Sequence, residues 1–281
     1  MTDYLDLKTN FDDPRVASAL DELSFWSSRF GALLLEHLEL ERGSNVLDIA
    51  CGAGFPLFEL AHAHGPSCRF VGVDLWQPAL ERAALKLGVY DLPNVSLARA
   101  DAAHLPLPNT HFDLIVSNLG INNFEQPRAV LAECARVSKS GGRLVLTTNV
   151  KGHMQEFYDL FREVLTERWG GKYLDRLAFN EEHRGSRESV TVIVEEAGFA
   201  ISRIVEDHFH LRFLDGSALF RHFLVRVGFL PGWREVVEPE DEQEVFATLE
   251  ARLNEVAQRE GGLKLTVPML YVEARRRAAP E

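Results

Sequence analysis

The sequence has no apolar run long enough to cross a membrane, and it contains very little cysteine. No hydrophobic stretch approaches the roughly 18 consecutive apolar residues of a membrane-spanning helix, so we expect no integral membrane contact. Only Cys51, Cys68 and Cys134 occur among 281 residues. They show no metal-ligand spacing, so we expect reduced thiols and no metal site. The N-terminus is acidic and lacks an apolar segment, which predicts no secretory signal and a cytoplasmic location.

Basic residues are fewer than acidic ones. Thirty Lys and Arg against 42 Asp and Glu give a net charge of −12. Because nucleic-acid binding relies on clustered Lys and Arg, this balance argues against a nucleic-acid partner. The apolar fraction of 46% is ordinary for a globular protein, which excludes disorder as the main character of the chain. The length fits one large domain, or a core domain that carries an insertion.

Short apolar runs alternate with amphipathic segments over the first half of the chain. Strands are predicted at 45–50, 69–74, 95–98, 111–118 and 142–148, and helices at 57–64, 79–87 and 129–137. Alternating strands and helices with short connections indicate a parallel sheet with helices on both faces. The sequence therefore predicts a doubly wound, mostly parallel α/β sheet.

The two ends of the chain add further elements. Residues 18–38 have the apolar spacing of a helix, and strands are predicted within 200–213 and 264–273, which completes seven strands. The segment between these last two strands is too long for a hairpin turn and is predicted to form a helical cap. The expected division is an N-terminal helical segment over the site (1–42), a cofactor core (43–150), the rest of the core (151–215), the cap (216–262) and the last strand with the tail (263–281).

The most informative segment is the turn of small residues that follows the first strand. Gly52 and Gly54 would let a ligand lie against the backbone where the next helix begins. Leu57 stands where a dinucleotide-binding fingerprint has its third small residue, and no P-loop motif occurs. Acidic residues follow the next two strands, Asp74 after the second and Asp101 after the third. A carboxylate in the first of these places suits ribose hydroxyls.

Five motifs in order resemble the class I S-adenosylmethionine-dependent methyltransferases. They are VLDIACGAG at 46–54, GVD at 72–74, RADAAHLP at 99–106, FDLIVSN at 112–118 and GGRLV at 141–145. In style they are most similar to the small-molecule methyltransferases of ubiquinone and menaquinone biosynthesis. The resemblance covers residues 40–150 well and the remainder poorly. It implies a Rossmann-like methyltransferase fold and S-adenosylmethionine as cofactor.

The same resemblance implies which residues hold this cofactor. Asp48 would lie near the methionine amino group, Asp74 would bind the ribose hydroxyls, and Asp101 would accept a hydrogen bond from the adenine amine. Leu75 would pack on the adenine, and Asn118 would lie near the sulfonium and the methyl acceptor. The complete predicted set is Asp48, Ala50, Cys51, Gly52, Gly54, Asp74, Leu75, Asp101, Ala102 and Asn118. Ala50 departs from the family, which often has a glycine there.

The acceptor and the catalytic base are less defined. Aromatic residues in the N-terminal helix and the cap predict a small apolar or aromatic acceptor, contacted by Trp26, Phe30, Phe220, Phe223 and Trp233. The alternative is that the cap aromatics fill the cap's own core. If the acceptor must lose a proton, a histidine is the natural base. His222 and His210 are the candidates, and the sequence does not decide between them.

Two other functions stay open. One is methyl transfer to a protein or peptide, and the other is a non-catalytic regulatory protein that binds S-adenosylmethionine. A nucleic-acid methyltransferase is disfavoured by the acidic charge and by the absence of an Asn-Pro-Pro-Tyr-type tetrapeptide after the fourth strand, where Ser117–Gly120 stands. The sequence leaves the oligomeric state open.

Overall fold

The computed structural model describes residues 2–22, 25–39, 41–182 and 184–278. The predicted alternation of strands and helices is confirmed. The strands are β1 (Asn45–Ile49), β2 (Arg69–Asp74), β3 (Val95–Arg99), β4 (Phe112–Asn118), β5 (Ser138–Asn149), β6 (Phe199–Phe213) and β7 (Leu263–Arg276). Strand β5 begins earlier than predicted because Ser138 already pairs with Phe112, ahead of an irregularity in the register.

All seven strands form one sheet in the order β3-β2-β1-β4-β5-β7-β6. Strands β1 to β5 pair in parallel, and β7 runs antiparallel to β5. Strand β1 is central, and its Val46, Leu47 and Ile49 are buried, as expected for a parallel strand covered on both faces. The order reverses at β1, so the loops after β1 and β4 diverge there. An open α/β sheet binds its ligand at such a point.

Helices connect the strands and cover the sheet. They are α1 (Pro14–Glu22), α2 (Phe25–His37), α3 (Leu57–His64), α4 (Gln77–Tyr90), α5 (Pro127–Val137), α6 (Gln155–Trp169), α7 (Leu174–Glu182), α8 (Arg187–Glu196), α9 (Gly216–Arg221), α10 (Phe223–Gly228), α11 (Leu230–Arg234) and α12 (Pro239–Glu260). The helix predicted over 18–38 includes residues 23 and 24, which lie outside the described residues. Within the described ranges, no helix combines the length and the apolar character that a membrane span requires.

The chain divides into two compact units. The first comprises Met1–Thr9, Val150–Gly185 and His208–Pro268, and the second comprises Asn10–Asn149, Ser186–Asp207 and Met269–Glu281. The helices between β6 and β7 belong to the first unit, so a helical insertion before the last strand is present as expected. The five-part division made from the sequence stays a prediction.

An aromatic core holds the first unit together. Trp233 stacks on Phe157 with ring centroids 4.1 Å apart, and Phe220 stacks on Tyr4 at 4.9 Å. All four rings are fully buried. Offset stacking of this kind adds to the free energy gained from burying the ring area. Helix α12 contributes its apolar face to the same core, through Phe246 against Phe220.

Candidate functional site

Three residues after β1 have left-handed backbone conformations. The φ angles are +58° at Ala50, +52° at Gly52 and +96° at Gly54. A non-glycine residue in this region costs about 1–2 kcal/mol, so Ala50 is held there against its intrinsic preference. The result is a tight turn that reverses the chain at the carboxyl end of β1 and leads into α3.

The two glycines of this turn serve different purposes. A Cβ atom at Gly54 would lie 2.1 Å from Cε2 of Phe58, so the missing side chain lets α3 pack against the turn. Around Gly52, a Cβ atom would have no neighbour among the described residues within 4 Å. The backbone of Gly52 therefore faces open space, where a ligand can approach it directly.

Asp74, the last residue of β2, fixes this turn. Its Oδ2 accepts a hydrogen bond from the backbone N–H of Gly52, and its Oδ1 accepts one from the backbone N–H of Trp76, both at 2.8 Å. The carboxylate thus holds the loops after β1 and β2 at the same edge of the sheet. Each oxygen has a further lone pair that can accept from a ligand hydroxyl.

Asp101 occupies the corresponding place after β3. Its Oδ1 accepts from the backbone N–H of Ala103 at 2.9 Å, and its Oδ2 lies 3.0 Å from Nδ1 of His104. The His104 contact, followed by the Ala103 hydrogen bond, lowers the pKa of Asp101 below its ordinary value. Asp101 is therefore a carboxylate with a fixed orientation at neutral pH.

A cavity of about 320 Å³ opens at this edge of the sheet. This volume is at the lower end of the range for small-molecule sites. The cavity is lined by Ala50, Val73, Asp74, Leu75, Trp76, Ala100, Asp101, Ala102, Ala103, Asn123, Phe124, Glu125, Gln126 and Val130. Of the predicted cofactor residues, the structure brings Ala50, Asp74, Leu75, Asp101 and Ala102 together on its wall.

The charge of this cavity restricts its ligand. Asp74, Asp101 and Glu125 line it, and no Lys or Arg is among its lining residues. Carboxylates repel phosphate groups and attract cations and hydroxyl donors. Apolar residues, including Leu75 and Phe124, supply surface for a flat ring. The cavity therefore suits an uncharged or cationic nucleoside better than a nucleotide.

The other predicted cofactor residues lie around the turn rather than on the cavity wall. Cys51 is buried, and burial followed by the nearby Asp48 and Asp74 raises the pKa of its thiol well above the ordinary value. The thiol is therefore not a nucleophile at neutral pH. Asp48 is fully buried beneath the turn. Burial and then the charge of Asp74 raise the pKa of Asp48.

Asn118 at the end of β4 is held by two hydrogen bonds. Its Oδ1 accepts from Oγ1 of Thr147 at 2.7 Å, and its Nδ2 donates to the backbone carbonyl of Ser27 at 3.1 Å. The amide joins β4, β5 and α2. Its predicted contact with the sulfonium and the acceptor stays a prediction, and this geometry gives it a positioning role in addition.

Helix α2 packs against the turn after β1. A Cβ atom at Gly31 would lie 2.1 Å from Cε1 of Phe55, so the glycine allows this ring to press on the helix. Trp26 is half-buried, and its ring centroid lies 5.3 Å from that of the fully buried Phe30. Of these two predicted substrate contacts, Trp26 has the accessible ring.

The residues of the first unit that were predicted to contact the acceptor differ in burial. Phe220 and Trp233 are buried in its aromatic core, which is the packing role that the sequence left as an alternative, whereas Phe223 is half-buried. Burial lowers the pKa of both histidine candidates, His222 at the junction of α9 and α10 and His210 on β6. Both rings therefore favour the neutral form that a base requires, and their catalytic role stays a prediction.

Sequence reasoning missed two aromatic residues of the cavity wall. Trp76 directly follows Asp74, and its Nε1 donates a hydrogen bond to the backbone carbonyl of Phe11 at 2.8 Å. Phe124 lies in the loop between β4 and α5. Their position in the sequence could have identified them, because both residues follow strands whose carboxyl ends meet at one edge of the sheet. The hydrogen bond to Phe11 spans distant parts of the sequence and left no local pattern.

Part of the chain is similar to known proteins. Residues 47–146 match a family model described as a methyltransferase domain. The demethylmenaquinone methyltransferase of Listeria welshimeri is 33% identical over 132 residues, which cover 46% of this chain and 56% of that protein. The chain thus spans little more than half the length of this relative.

Solved structures share the fold over more of the chain. A SAM-dependent methyltransferase from Aquifex aeolicus is 25% identical with a TM-score of 0.52, and the match covers 69% of this chain and 92% of that one. The cyclase SpnF is 20% identical with a TM-score of 0.55, and the match covers 89% of this chain and 82% of that one. The fold is therefore compatible with more than one reaction, and the site must decide among them.

Proposed function

We propose that this chain, whose residues 47–146 match a methyltransferase domain model, is a class I methyltransferase that transfers a methyl group from S-adenosylmethionine to a small apolar or aromatic acceptor. The observation that carries the proposal is the cavity beside the glycine turn. Asp74 and Asp101 lie on its wall, no Lys or Arg is among its described lining residues, and Asp74 also accepts a hydrogen bond from the backbone N–H of Gly52, whose backbone faces open space. These features fit a nucleoside that bears a cationic sulfonium and no phosphate.

The chain's own residues would bind and orient the reactants. Asp74 would accept hydrogen bonds from the ribose hydroxyls, and Asp101 would accept one from the adenine amine. When bound, the cofactor would supply an activated methyl group for in-line displacement by the acceptor, with S-adenosylhomocysteine as the leaving group and loss of a proton from the acceptor. Alignment and exclusion of water are therefore the main contributions of the protein. A half-buried His222 or His210 is the proposed proton acceptor.

The acceptor class is proposed on two grounds. The Listeria relative is a demethylmenaquinone methyltransferase, whose name points to a quinone-type aromatic substrate. Trp26 and Phe223 have partly exposed aromatic rings. We propose a reduced quinone or a phenol as acceptor. A cytoplasmic location is part of this proposal and is supported by the three cysteines, which are free and buried.

Calorimetric titration tests the cofactor assignment. We expect S-adenosylmethionine and S-adenosylhomocysteine to bind, NAD to bind far more weakly, and Asp74→Ala to lose affinity for both methionine derivatives. Asp113→Ala is the matched control. That carboxylate also accepts a backbone hydrogen bond at the end of a strand, from Asn45, but it lies at the opposite edge of the sheet. Tight NAD binding, or unchanged binding by Asp74→Ala, contradicts the assignment.

Transfer of a labelled methyl group tests the acceptor. The panel contains a reduced naphthoquinone, a simple phenol and a mixture of peptides. We expect labelling of the aromatic compounds, and weaker acceptor binding with unchanged cofactor affinity in Phe223→Ala or Trp26→Ala. Labelled peptides would favour a protein substrate. Cofactor binding without transfer to any acceptor in the panel would favour the regulatory alternative.

A further inference from the structure

Asp48 is a buried carboxyl group without full hydrogen-bond compensation. Its residue exposure is 0%, and neither Oδ atom accepts a hydrogen bond of good geometry from the described residues. The backbone N–H of Leu57, at the start of α3, gives it weak stabilisation. An ionised carboxylate in such a place is strongly disfavoured, because burial removes its water without supplying donors.

The strand next to Asp48 is closely packed. In the sheet, Asp48 lies directly opposite Gly72 of β2. A Cβ atom at Gly72 would lie 2.5 Å from Cδ2 of Leu57 and 2.9 Å from Sγ of Cys51. The space beside Asp48 is therefore closely packed by an apolar side chain and a thiol.

The neighbouring carboxylate has the opposite environment. Asp74 accepts backbone hydrogen bonds from Gly52 and Trp76, both at 2.8 Å, and lines the cavity. Two carboxyl groups close together cannot both ionise without cost, and the better solvated one keeps the negative charge. Burial and the charge of Asp74 accordingly raise the pKa of Asp48 well above its ordinary value.

We propose that Asp48 is protonated in the unliganded protein and releases this proton when the α-ammonium group of a methionine-bearing nucleoside binds at the glycine turn. The inference rests on the proposed function, because it takes the methionine moiety to lie along that turn. The O–H bond of Asp48 breaks, the proton passes to the buffer, and the carboxylate then pairs with the ligand ammonium. Asp48 is thus a positioning residue whose charge appears only with the ligand.

This coupling predicts how affinity depends on pH. A binding event that releases a proton becomes stronger as pH rises, and the affinity changes up to about tenfold per pH unit. The relevant window lies above the pKa of Asp48 in the complex and below its pKa in the free protein. The titratable groups that act on Asp48 are Asp74, on the neighbouring strand, and the thiol of Cys51, which stays protonated. Measurements at or below about pH 6.7 keep at least about nine tenths of the ligand's own α-amino groups charged.

Calorimetry in buffers of different ionisation enthalpy measures the proton directly. We use S-adenosylhomocysteine and the wild-type protein near neutral pH. The slope of the apparent binding enthalpy against the ionisation enthalpy of the buffer gives the number of protons exchanged. We expect this slope to show release of close to one proton per ligand. Methylthioadenosine shares the nucleoside but lacks the ammonium group. Its binding enthalpy should be independent of the buffer.

The outcomes separate the inference from the proposed function. Binding of S-adenosylhomocysteine without any buffer dependence overturns the inference and leaves the proposed function intact. If neither nucleoside binds, the proposed function fails and the inference fails with it. Asp48→Asn should abolish proton release and weaken S-adenosylhomocysteine more than methylthioadenosine, whereas Asp113→Asn should retain the release. Release that persists in Asp48→Asn also overturns the inference. Should Asp48→Asn not fold, the wild-type buffer series alone decides.

Discussion

The carboxylate of Asp74 accepts a hydrogen bond of 2.8 Å from the backbone N–H of Gly52. The end of β2 therefore holds the turn that follows β1, and one side chain links the predicted ribose site to the predicted methionine site. Asp74→Ala consequently removes a ligand contact and a turn contact together. The contribution of the turn itself is better tested at Gly52, whose backbone faces open space.

Gly52→Ala should fold but bind S-adenosylhomocysteine poorly. Its φ of +52° makes an alanine strained by about 1–2 kcal/mol, and the added methyl group enters the space that the ligand would use. We expect affinity to fall by at least about tenfold, which corresponds to about 1.4 kcal/mol. Titration calorimetry measures the affinity, and a thermal melt measures the stability.

Gly43→Ala is the control for this variant. Gly43 has a φ of +78°, no atom of the described residues would lie within 4 Å of a Cβ at this position, and it stands before β1 rather than after it. The backbone strain should be similar, so the loss of stability should match that of Gly52→Ala while binding is unchanged. Equal binding by both variants would mean that the ligand does not lie against Gly52.

Most of the fold could be predicted from the sequence because its strands are short, apolar and separated by helices. Such local patterns fix the element types, and the parallel order follows from the alternation. The packing of the long segment after Asn149 could not be predicted in the same way. Its aromatics pack on one another and on Tyr4, which is far away in the sequence. A periodic pattern shows that a residue is buried, but not which residue covers it.

The site could be predicted in part for the same reason. Asp74 ends β2 and Asp101 follows the end of β3 by two residues, so their meeting at the cavity follows from the parallel sheet. Phe223 and Phe220 look alike in the sequence, yet only Phe223 is partly exposed. Tertiary packing decides which aromatic ring is accessible. The sequence pattern carries no information about it.

Gly31→Ala should destabilise the protein, although alanine is the better helix former. The new methyl group would overlap the Phe55 ring at 2.1 Å, and overpacking of this kind costs about 1–3 kcal/mol. Gly88→Ala in α4 is the matched control. A Cβ atom at Gly88 would have no neighbour among the described residues within 4 Å, so helix propensity should raise stability by about 1 kcal/mol. Chemical denaturation measures both. A stabilised Gly31→Ala variant would show that Phe55 moves away without cost.

The titration of His153 should lower the stability of the protein as pH falls. Burial and then the Arg184 charge lower the pKa of His153 well below its ordinary value. Below the unfolded pKa of about 6.5, the unfolded chain binds a proton that the folded protein does not. The contribution of His153 to stability is therefore present above that pH and is lost as pH decreases, by up to about 1.4 kcal/mol per pH unit.

The difference between wild type and His153→Gln isolates this effect. Other groups also titrate, and the raised pKa of Asp48 acts in the opposite direction, since it favours the folded state at lower pH. Denaturation at about pH 7.5 and pH 5.5 should show that the advantage of wild type over the variant shrinks at the lower pH. A constant difference between wild type and His153→Gln would contradict the prediction.

Tyr4 anchors the N-terminal segment of the first unit, so its removal should be costly. The ring is fully buried and stacks on Phe220, while its hydroxyl lies 3.4 Å from the backbone carbonyl of Phe246. Tyr4→Ala should lower the free energy of unfolding by about 3–5 kcal/mol, as expected for a buried aromatic ring. Tyr4→Phe keeps the ring but loses the contacts of the hydroxyl with the Phe246 carbonyl and the Glu250 side chain, so its cost should be about 1–2 kcal/mol, less than that of Tyr4→Ala. Leu7→Ala is the control on the same segment, since Leu7 is 49% exposed and its truncation should change stability by no more than about 0.5 kcal/mol. Denaturant unfolding measures all three variants, and a Tyr4→Ala protein as stable as Leu7→Ala would show that this segment does not contribute to the core.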